Sequence, residues 1–165
     1  MKRTDSDRNQ SEKRYWRTAP ELPQDVFEAW KKPQRALNPV ALVATVDPDG
    51  TPRTAPFGSL RAITPRLLRF VTWCGHDTYR NICTNTKAMV FLLSPPDIAV
   101  SVRGIATIVM EHMLTDSAYA LVEVEIGEVK NDMVPRIVIE GPMTISVPDQ
   151  YKEWFENILG EMETV

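Results

Sequence analysis

The sequence predicts a mostly β protein, an antiparallel and closed or nearly closed barrel of about six to seven strands with peripheral helices. Short apolar and β-branched runs recur at close spacing along the 165 residues, and turn residues such as Asp47-Pro48-Asp49-Gly50 separate them. Only three segments have the spacing of helices. Several runs are apolar on both faces, which favours closure because one face fills the barrel and the other needs a helix or a partner to cover it.

The first predicted elements are a short helix and a hairpin. The helix begins near Pro23 and is closed by Pro33, since proline cannot continue a helix. Residues 40–46 then form a β-branched strand, and residues 52–63 complete the hairpin after the Asp-Pro-Asp-Gly turn. Leu67–Trp73 is the next predicted strand.

The middle of the chain combines one predicted helix with three strands. Apolar residues fall at helical spacing between residues 75 and 85, which predicts a short helix inserted between strands. Residues 88–93 are continuously apolar and predict a strand buried on both faces. A long strand over residues 98–110 follows, with Gly104 as a bulge or a point of close approach. Residues 119–129 alternate between apolar residues and glutamate, the period of a half-exposed strand.

The last part of the chain predicts a weak strand and a well-marked helix. Residues 136–145 have a strand-like composition but are interrupted by Gly141-Pro142. Ser146 followed by Asp149 approximates a capping box and predicts the start of the helix. The helix then has an apolar stripe suited to core packing or to a dimer contact, formed by Tyr151, Trp154, Phe155, Ile158, Leu159 and Met162.

Composition excludes several classes of protein. Hydrophobic residues make up 43% and charged residues 25% of a chain with formal net charge −3, so neither nucleic acid nor a membrane is an expected partner. No apolar stretch is long enough to span a bilayer. Residues 1–20 are mostly polar and lack the apolar centre of a signal peptide. We expect them to form a disordered or loosely docked arm before a single domain over residues 21–165, in a cytoplasmic protein.

Cysteine and histidine are too sparse for a structural metal site, and no metal is expected. Cys74 and Cys83 form no CxxC pair, and only His76 and His112 could add imidazole ligands. Two buried free thiols in a reducing cytoplasm are the favoured interpretation, with one disulfide left open. His112 has no motif around it and is interpreted as structural.

Residues 53–85 form the most informative segment for chemistry. A strand leads through a turn with glycine and hydroxyl residues into a helix, so unpaired N–H groups and the positive end of the helix dipole favour a bound phosphate. Thr72 and Thr78 could donate hydroxyl hydrogen bonds to it. Arginines of the same segment could donate charge-assisted hydrogen bonds to the phosphate, namely Arg53, Arg61 and Arg80.

Each of these residues also has an interpretation without a ligand. Thr78 or Asp77 could be the N-cap of the helix, the arginines could be solvated, and Trp73 could be a core or rim residue. His76 is either a phosphate donor or proton relay near a cofactor, or an ordinary residue at a helix start.

The order of motifs between residues 41 and 104 resembles the pyridoxamine 5'-phosphate oxidase-like FMN-binding split-barrel superfamily. The spacing and order of short motifs give the match its specificity, and the motifs are Ala44-Thr45-Val46, Thr51-Pro52-Arg53, Ala55-Pro56, Val71-Thr72, Asn81-Ile82, Thr84-Asn85, Met89-Val90-Phe91-Leu92 and Val102-Arg103-Gly104-Ile105-Ala106. The close resemblance covers a little over a third of the chain.

This resemblance implies an antiparallel split β-barrel that binds FMN at the interface of a homodimer. By position it assigns the cofactor to Arg53, Pro56, Phe57, Gly58, Ser59, Thr72, Trp73, His76, Thr78, Tyr79 and Asn81. Many members have a lysine or arginine at the position of Thr78. The departure implies that the phosphate here rests on hydroxyls, backbone amides and Arg80, in a divergent member rather than a true pyridoxamine phosphate oxidase.

Three functions are open at this point. The first is an FMN-dependent oxidoreductase acting on an unidentified small molecule. No side chain stands out as an obligatory acid, base or nucleophile, which fits a cofactor that carries the redox chemistry itself. The second is a flavin-binding module without turnover, used for storage or regulation. The third keeps the fold with another cofactor, namely a deazaflavin, FAD or haem.

Overall fold

The computed structural model describes residues 16–165. Its strands are β1 (Thr18–Ala19), β2 (Ala41–Val46), β3 (Pro52–Phe57), β4 (Arg61–Thr64), β5 (Leu67–Trp73), β6 (Lys87–Ser94), β7 (Ile98–Met110) and β8 (Tyr119–Asn131). They form one antiparallel sheet in the order β3-β2-β6-β7-β8-β5-β4, and the short β1 pairs with β8. The predicted mostly β, antiparallel fold is confirmed.

The sheet closes on itself as a split barrel. Phe57 on β3 packs against Phe70 on β5, with 4.7 Å between ring centroids, although the two strands lie five positions apart in the sheet order. Fully buried side chains such as Trp30, Leu68 and Val124 fill the interior. Packing of apolar side chains across the barrel thus brings the two ends of the sheet together.

Three helices lie at the periphery, as predicted: α1 (Gln24–Trp30), α2 (Asp77–Thr84) and α3 (Lys152–Glu163). The capping box predicted at Ser146 is wrong, because a 3₁₀ turn over Asp149–Tyr151 precedes the α-helix. Pro148 explains the late start, since the residue before a proline is disfavoured in helical backbone.

Helix α3 packs its apolar stripe against the outer face of β5 and β8. Its side chains Ile158, Leu159 and Met162 are buried with Val71 in one cluster. The stripe is thereby confirmed as core packing over the second half of the helix, whereas Tyr151 is 52% exposed.

Two predicted strands differ from the structure: one is divided into two strands, and the other is absent. Residues 52–63 are split between β3 and β4 because β3 pairs with β2 while β4 pairs with β5. Residues 136–145 form no strand. Gly141-Pro142 interrupts that run, and isolated contacts hold it instead, such as the hydrogen bond from the Val40 amide to the Met143 carbonyl at 2.8 Å.

Strand β6 is buried on one face only, which corrects the prediction of burial on both faces. Val90 and Leu92 point into the barrel and are fully buried. Met89, on the other face, is 40% exposed. The apolar run of this strand therefore leaves an uncovered surface in the single chain.

Gly104 marks a close approach between β7 and β8, as predicted. A Cβ atom added there would lie 2.3 Å from the carbonyl oxygen of Glu125. The register of the two strands shifts between Arg103 and Gly104, which identifies a β-bulge.

The predicted arm over residues 1–20 lies largely outside the described residues. In its last part, Thr18–Ala19 forms β1 on the edge of β8, and Trp16 packs against the barrel core. None of the helices in the described part of the chain is long and apolar enough to cross a membrane.

Candidate functional site

The candidate site lies where β3 and β5 meet the start of α2. The Phe57 ring packs on Phe70 and meets the His76 ring edge-on, with 5.9 Å between centroids. The fold therefore places the predicted strand segment, residues 53–59, beside the predicted turn and helix, residues 72–81.

Asp47, directly after β2, organises the polar part of this site. Arg53 Nε donates to both carboxylate oxygens, at 2.9 and 2.8 Å, and Asn81 Nδ2 donates to one of them at 2.9 Å. Asn81 also donates to Thr45 Oγ1 at 3.0 Å, so this buried amide fastens α2 to β2. The hydrogen bonds from Arg53, and then from Asn81, hold the pKa of Asp47 below its usual value of 3.8.

His76 is the N-cap of α2. Its Nδ1 accepts a hydrogen bond from the backbone N–H of Thr78 at 3.1 Å and lies 3.0 Å from Thr78 Oγ1. Because Nδ1 is the acceptor, the proton of the neutral ring is on Nε2. The interpretation of Thr78 or Asp77 as the N-cap is therefore wrong. His76 lies at the helix start, and its role toward a cofactor stays a prediction.

The hydroxyl groups predicted to meet a phosphate are buried. Thr72 and Thr78 are 1% and 3% exposed, and the Thr78 hydroxyl is in contact with His76. Ser59 Oγ accepts from the Val71 N–H at 3.0 Å and so links β5 to the segment after β3. The hydroxyls of Ser59 and Thr78 therefore form contacts within the local fold.

Two exposed arginines are the cations that the fold places beside the first turn of α2. Arg53 Nε lies 3.8 Å from Asp77 Oδ2, and Arg80 Nη1 lies 3.6 Å from Asp77 Oδ1. More than half of each arginine side chain is exposed. Arg61, in contrast, is 2% exposed and pairs with Glu163, so it does not belong to this group.

Trp73 is an exposed aromatic residue beside the turn. Its side chain is 52% exposed, and its ring covers Gly75, where an added Cβ would lie 2.4 Å from ring atoms. Pro56 is exposed on β3, and Tyr79 is partly exposed on α2. A flat aromatic ligand would find its apolar contacts on this side of the site.

Gly58 lies in close contact with the side chains of Leu37 and Ile145. A Cβ at Gly58 would lie 2.8 Å from the side chains of Leu37 and Ile145. Of the residues predicted to bind a cofactor, the fold leaves some at least partly exposed, namely Arg53, Pro56, Trp73, His76 and Tyr79. The others are buried, namely Phe57, Gly58, Ser59, Thr72, Thr78 and Asn81.

Strand β3 ends the sheet on this side, and its sequence leaves one amide for a ligand. Pro52 and Pro56 have no N–H and therefore fit positions that donate nothing to the ladder with β2. Thr54 lies midway between them in the same register. Because alternate residues of an antiparallel strand point their N–H groups the same way, the Thr54 amide faces the open edge.

The predictions about metal ligands and thiols can also be compared with the structure. Across residues 16–165, no group of three or more His, Cys, Asp and Glu side chains is placed to hold a metal ion. Cys74 and Cys83 are free thiols, which confirms the favoured interpretation over a disulfide. Their predicted burial is wrong, since Cys74 is partly exposed and Cys83 is exposed.

Comparison with protein families gives one match. The model of the pyridoxamine 5'-phosphate oxidase family matches residues 31–141. The matched range is more than half of the chain and contains all seven long strands of the barrel. Among curated proteins, none matches.

Several solved structures share the fold. A candidate pyridoxamine 5'-phosphate oxidase from Lactobacillus delbrueckii has a TM-score of 0.55 and 22% identity, over 69% of this chain and 98% of its own. An FMN-binding protein from Syntrophomonas wolfei has a TM-score of 0.52 and 12% identity, over 68% and 90% of the two chains. An F420 reductase has a TM-score of 0.51 and 19% identity, over 67% and 100%. At these identities the similarity concerns the fold.

Proposed function

Since this chain belongs to the pyridoxamine 5'-phosphate oxidase family, we propose that it binds FMN and works as an FMN-dependent oxidoreductase on a small molecule. The observation that carries the proposal is the pair of exposed arginines, Arg53 and Arg80, beside the first turn of α2. A phosphate is favoured by cations and by the N-terminal end of a helix, and the two arginines lie at such an end, beside the exposed Trp73 ring.

The phosphate end of FMN fits the start of α2. Arg53 and Arg80 would donate charge-assisted hydrogen bonds, and the N-terminal end of the helix adds its dipole. Asp77, now between the two arginines, would give up its ion pairs to the phosphate. The buried Thr72 and Thr78 would support this turn from below, a change from the role as direct donors that the resemblance implied.

The ring end of FMN fits the surface between Trp73 and the open edge of β3. Trp73 and Pro56 offer apolar contact, and the Thr54 amide offers one hydrogen bond to a polar ring atom. When bound, FMN accepts and returns electrons or hydride at its ring system. The chain's own part is to bind and orient the ring, and no side chain of the site is assigned as an acid, a base or a nucleophile.

The proposed assembly is a homodimer with the cofactor at the subunit interface. A groove of about 540 Å³ on the outer face of the sheet is mainly apolar, and Val46, Met89 and Ile105 are among its lining residues. Met89 and Ile105 are 40% and 48% exposed, so a second copy of the chain would cover them. The free thiols fit a reducing cytoplasm, where we expect the protein to work.

The absorbance spectrum of the purified protein, before and after addition of FMN, tests the cofactor. An oxidised flavin spectrum that stays with the protein through desalting is the expected result. A deazaflavin or haem spectrum would favour the alternative cofactors, and the F420 reductase of the same fold makes the deazaflavin the stronger of these.

Anaerobic addition of NADH or NADPH to the flavin-loaded protein tests turnover. An enzyme of the proposed kind should bleach the flavin band with one of the two donors, at a rate that saturates with donor concentration. A bound flavin that neither donor bleaches would favour the storage or regulatory module.

A further inference from the structure

Lys32 is a buried lysine two residues after the end of α1. It is 9% exposed, and its ammonium lies 5.6 Å from the centre of the Trp30 ring. Within the described residues its hydrogen bond goes from Nζ to the Gly58 carbonyl at 2.8 Å. A lysine ammonium has three donors, so two of them have no acceptor in this part of the chain.

Lys32 has no carboxylate partner among residues 16–165, unlike the two buried arginines near it. Arg61 pairs with Glu163, and Arg69 pairs with Glu123 at 2.5 Å. The charge that acts on Lys32 is that of Arg61, another cation. Burial, and then repulsion by Arg61, lowers the pKa of Lys32 from 10.5 to about 7.

The backbone at this position is also unfavourable for lysine. A φ of +53° places Lys32 in the left-handed region, which glycine and asparagine adopt with less strain. A small neutral residue would avoid both the strained backbone and the buried cation. Strained residues held in this way cluster at ligand sites.

Lys32 lines an open cavity of about 380 Å³. The polar side chains that share this cavity are Lys31, Gln34, Arg61, Arg69 and Glu163. Arg61 donates to the carbonyls of Ser59 and Ala36 and to Glu163, which uses three of its five N–H groups. Two buried cations therefore have donors left over beside a space large enough for a small molecule.

We propose that this cavity binds a small oxyanion, either a carboxylate or a phosphate group, on Lys32 Nζ and the remaining N–H groups of Arg61. The anion would supply the negative charge that the described chain does not place beside Lys32. The proposed site is independent of the flavin site at Arg53 and Arg80. The two sites are nevertheless joined by one segment of the chain. Lys32 and Arg61 donate hydrogen bonds to the carbonyls of Gly58 and Ser59, which follow β3.

Isothermal titration of the full chain with sodium sulfate and sodium acetate, against sodium chloride at equal ionic strength, tests the proposal. Saturable binding of at least one of the two oxyanions is expected. Lys32→Met should weaken it at least tenfold. Lys130→Met is the control and should bind like the wild type, because Lys130 is exposed, is paired with Asp132 and is not one of the residues that line this cavity. In the double variant Arg53→Gln, Arg80→Gln, which removes the proposed phosphate site of the cofactor, the oxyanion binding that depends on Lys32 should remain.

A second measurement needs only the wild-type protein and holds even if Lys32→Met folds poorly. At pH 8, sulfate binding should take up protons, because the anion favours the charged ammonium of Lys32; the dependence of the binding heat on buffer measures this uptake. The other charged groups that face the cavity are Lys31, Arg61, Arg69 and Glu163. The proposal is overturned by no saturable binding, by binding without proton uptake, or by a loss seen only in the Arg53, Arg80 variant.

Discussion

Arg53 on β3 reaches Asp77 at the start of α2, with 3.8 Å between Nε and Oδ2. On its other side Asp77 lies 3.6 Å from Arg80. The carboxylate therefore occupies the space between the two cations that we assign to the cofactor phosphate. It has the same sign of charge as the phosphate, so the two groups compete for one position.

Replacing Asp77 with asparagine should tighten FMN binding several-fold. Two unit charges about 4 Å apart repel by roughly 1 kcal/mol in water, and the variant removes that repulsion while it keeps the size of the side chain. Fluorescence titration with FMN and with riboflavin measures the effect, and riboflavin, which lacks the phosphate, should bind as it does to the wild type.

Asp149→Asn is the matched control for Asp77→Asn, because it removes one exposed carboxylate in front of α3. FMN affinity should not change in this variant. Equal changes in the two variants would mean that net charge, rather than the position of Asp77, sets the affinity.

Asp47→Asn should lower stability at neutral pH and lose that effect in acid. The hydrogen bonds from Arg53 and Asn81 lower the pKa of Asp47 in the folded state. The stability they give is therefore present above the unfolded value, near 3.8, and is lost as pH falls through the lower folded value. Urea unfolding between pH 7 and pH 2.5 gives the free energy of unfolding of both proteins as a function of pH. The two curves should converge in acid. Parallel curves would contradict the role given to Asp47.

Gly104→Ala should destabilise the barrel by about 1–3 kcal/mol, the usual effect of forcing extra atoms into a packed site. The new Cβ would lie 2.3 Å from the Glu125 carbonyl oxygen, which is backbone and cannot turn away. Gly127→Ala is the control on the neighbouring strand, since its Cβ would lie 3.4 Å from the nearest atom. Urea unfolding should separate the two variants, and equal stabilities would contradict the bulge.

Lys32→Met should remove part of the rise in stability between pH 7 and pH 10. The folded pKa of Lys32 is about 7 and the unfolded value is 10.5, so across this range the unfolded chain binds more protons and stability increases with pH. The difference in melting temperature between the wild type and Lys32→Met, measured at each pH, isolates this contribution. Lys31→Met is the control. A difference that stays constant from pH 7 to pH 10 would contradict the burial of the ammonium.

The barrel could be predicted from the sequence because its signals are local. Alternation in β8, the helix inserted after Trp73 and the glycine at the β7 bulge each follow from periodicity or from a single residue type. Strand ends were harder to predict. The break after Phe57 depends on a change of pairing partner from β2 to β5, and composition gives no signal for a partner.

The sequence placed the candidate residues in one region of the fold, but it did not predict which of them the fold buries. Thr72 and Thr78 have the chemistry of phosphate donors, yet the fold buries both. Asp47 was missed as a partner of Arg53 and Asn81. Its only sequence signal is its position at the start of a turn, and the contact with Asn81 across 34 residues exists only once α2 packs on β2.

The affinity difference between FMN and riboflavin tests the central claim most directly. If Arg53 and Arg80 hold the cofactor phosphate, the wild type should bind FMN on the order of a hundredfold more tightly than riboflavin, since two hydrogen bonds to a charged group contribute about 3 kcal/mol. The double variant Arg53→Gln, Arg80→Gln should lose most of that difference and keep its affinity for riboflavin. Equal affinities for the two flavins in the wild type, or no flavin binding at all, would contradict the assignment.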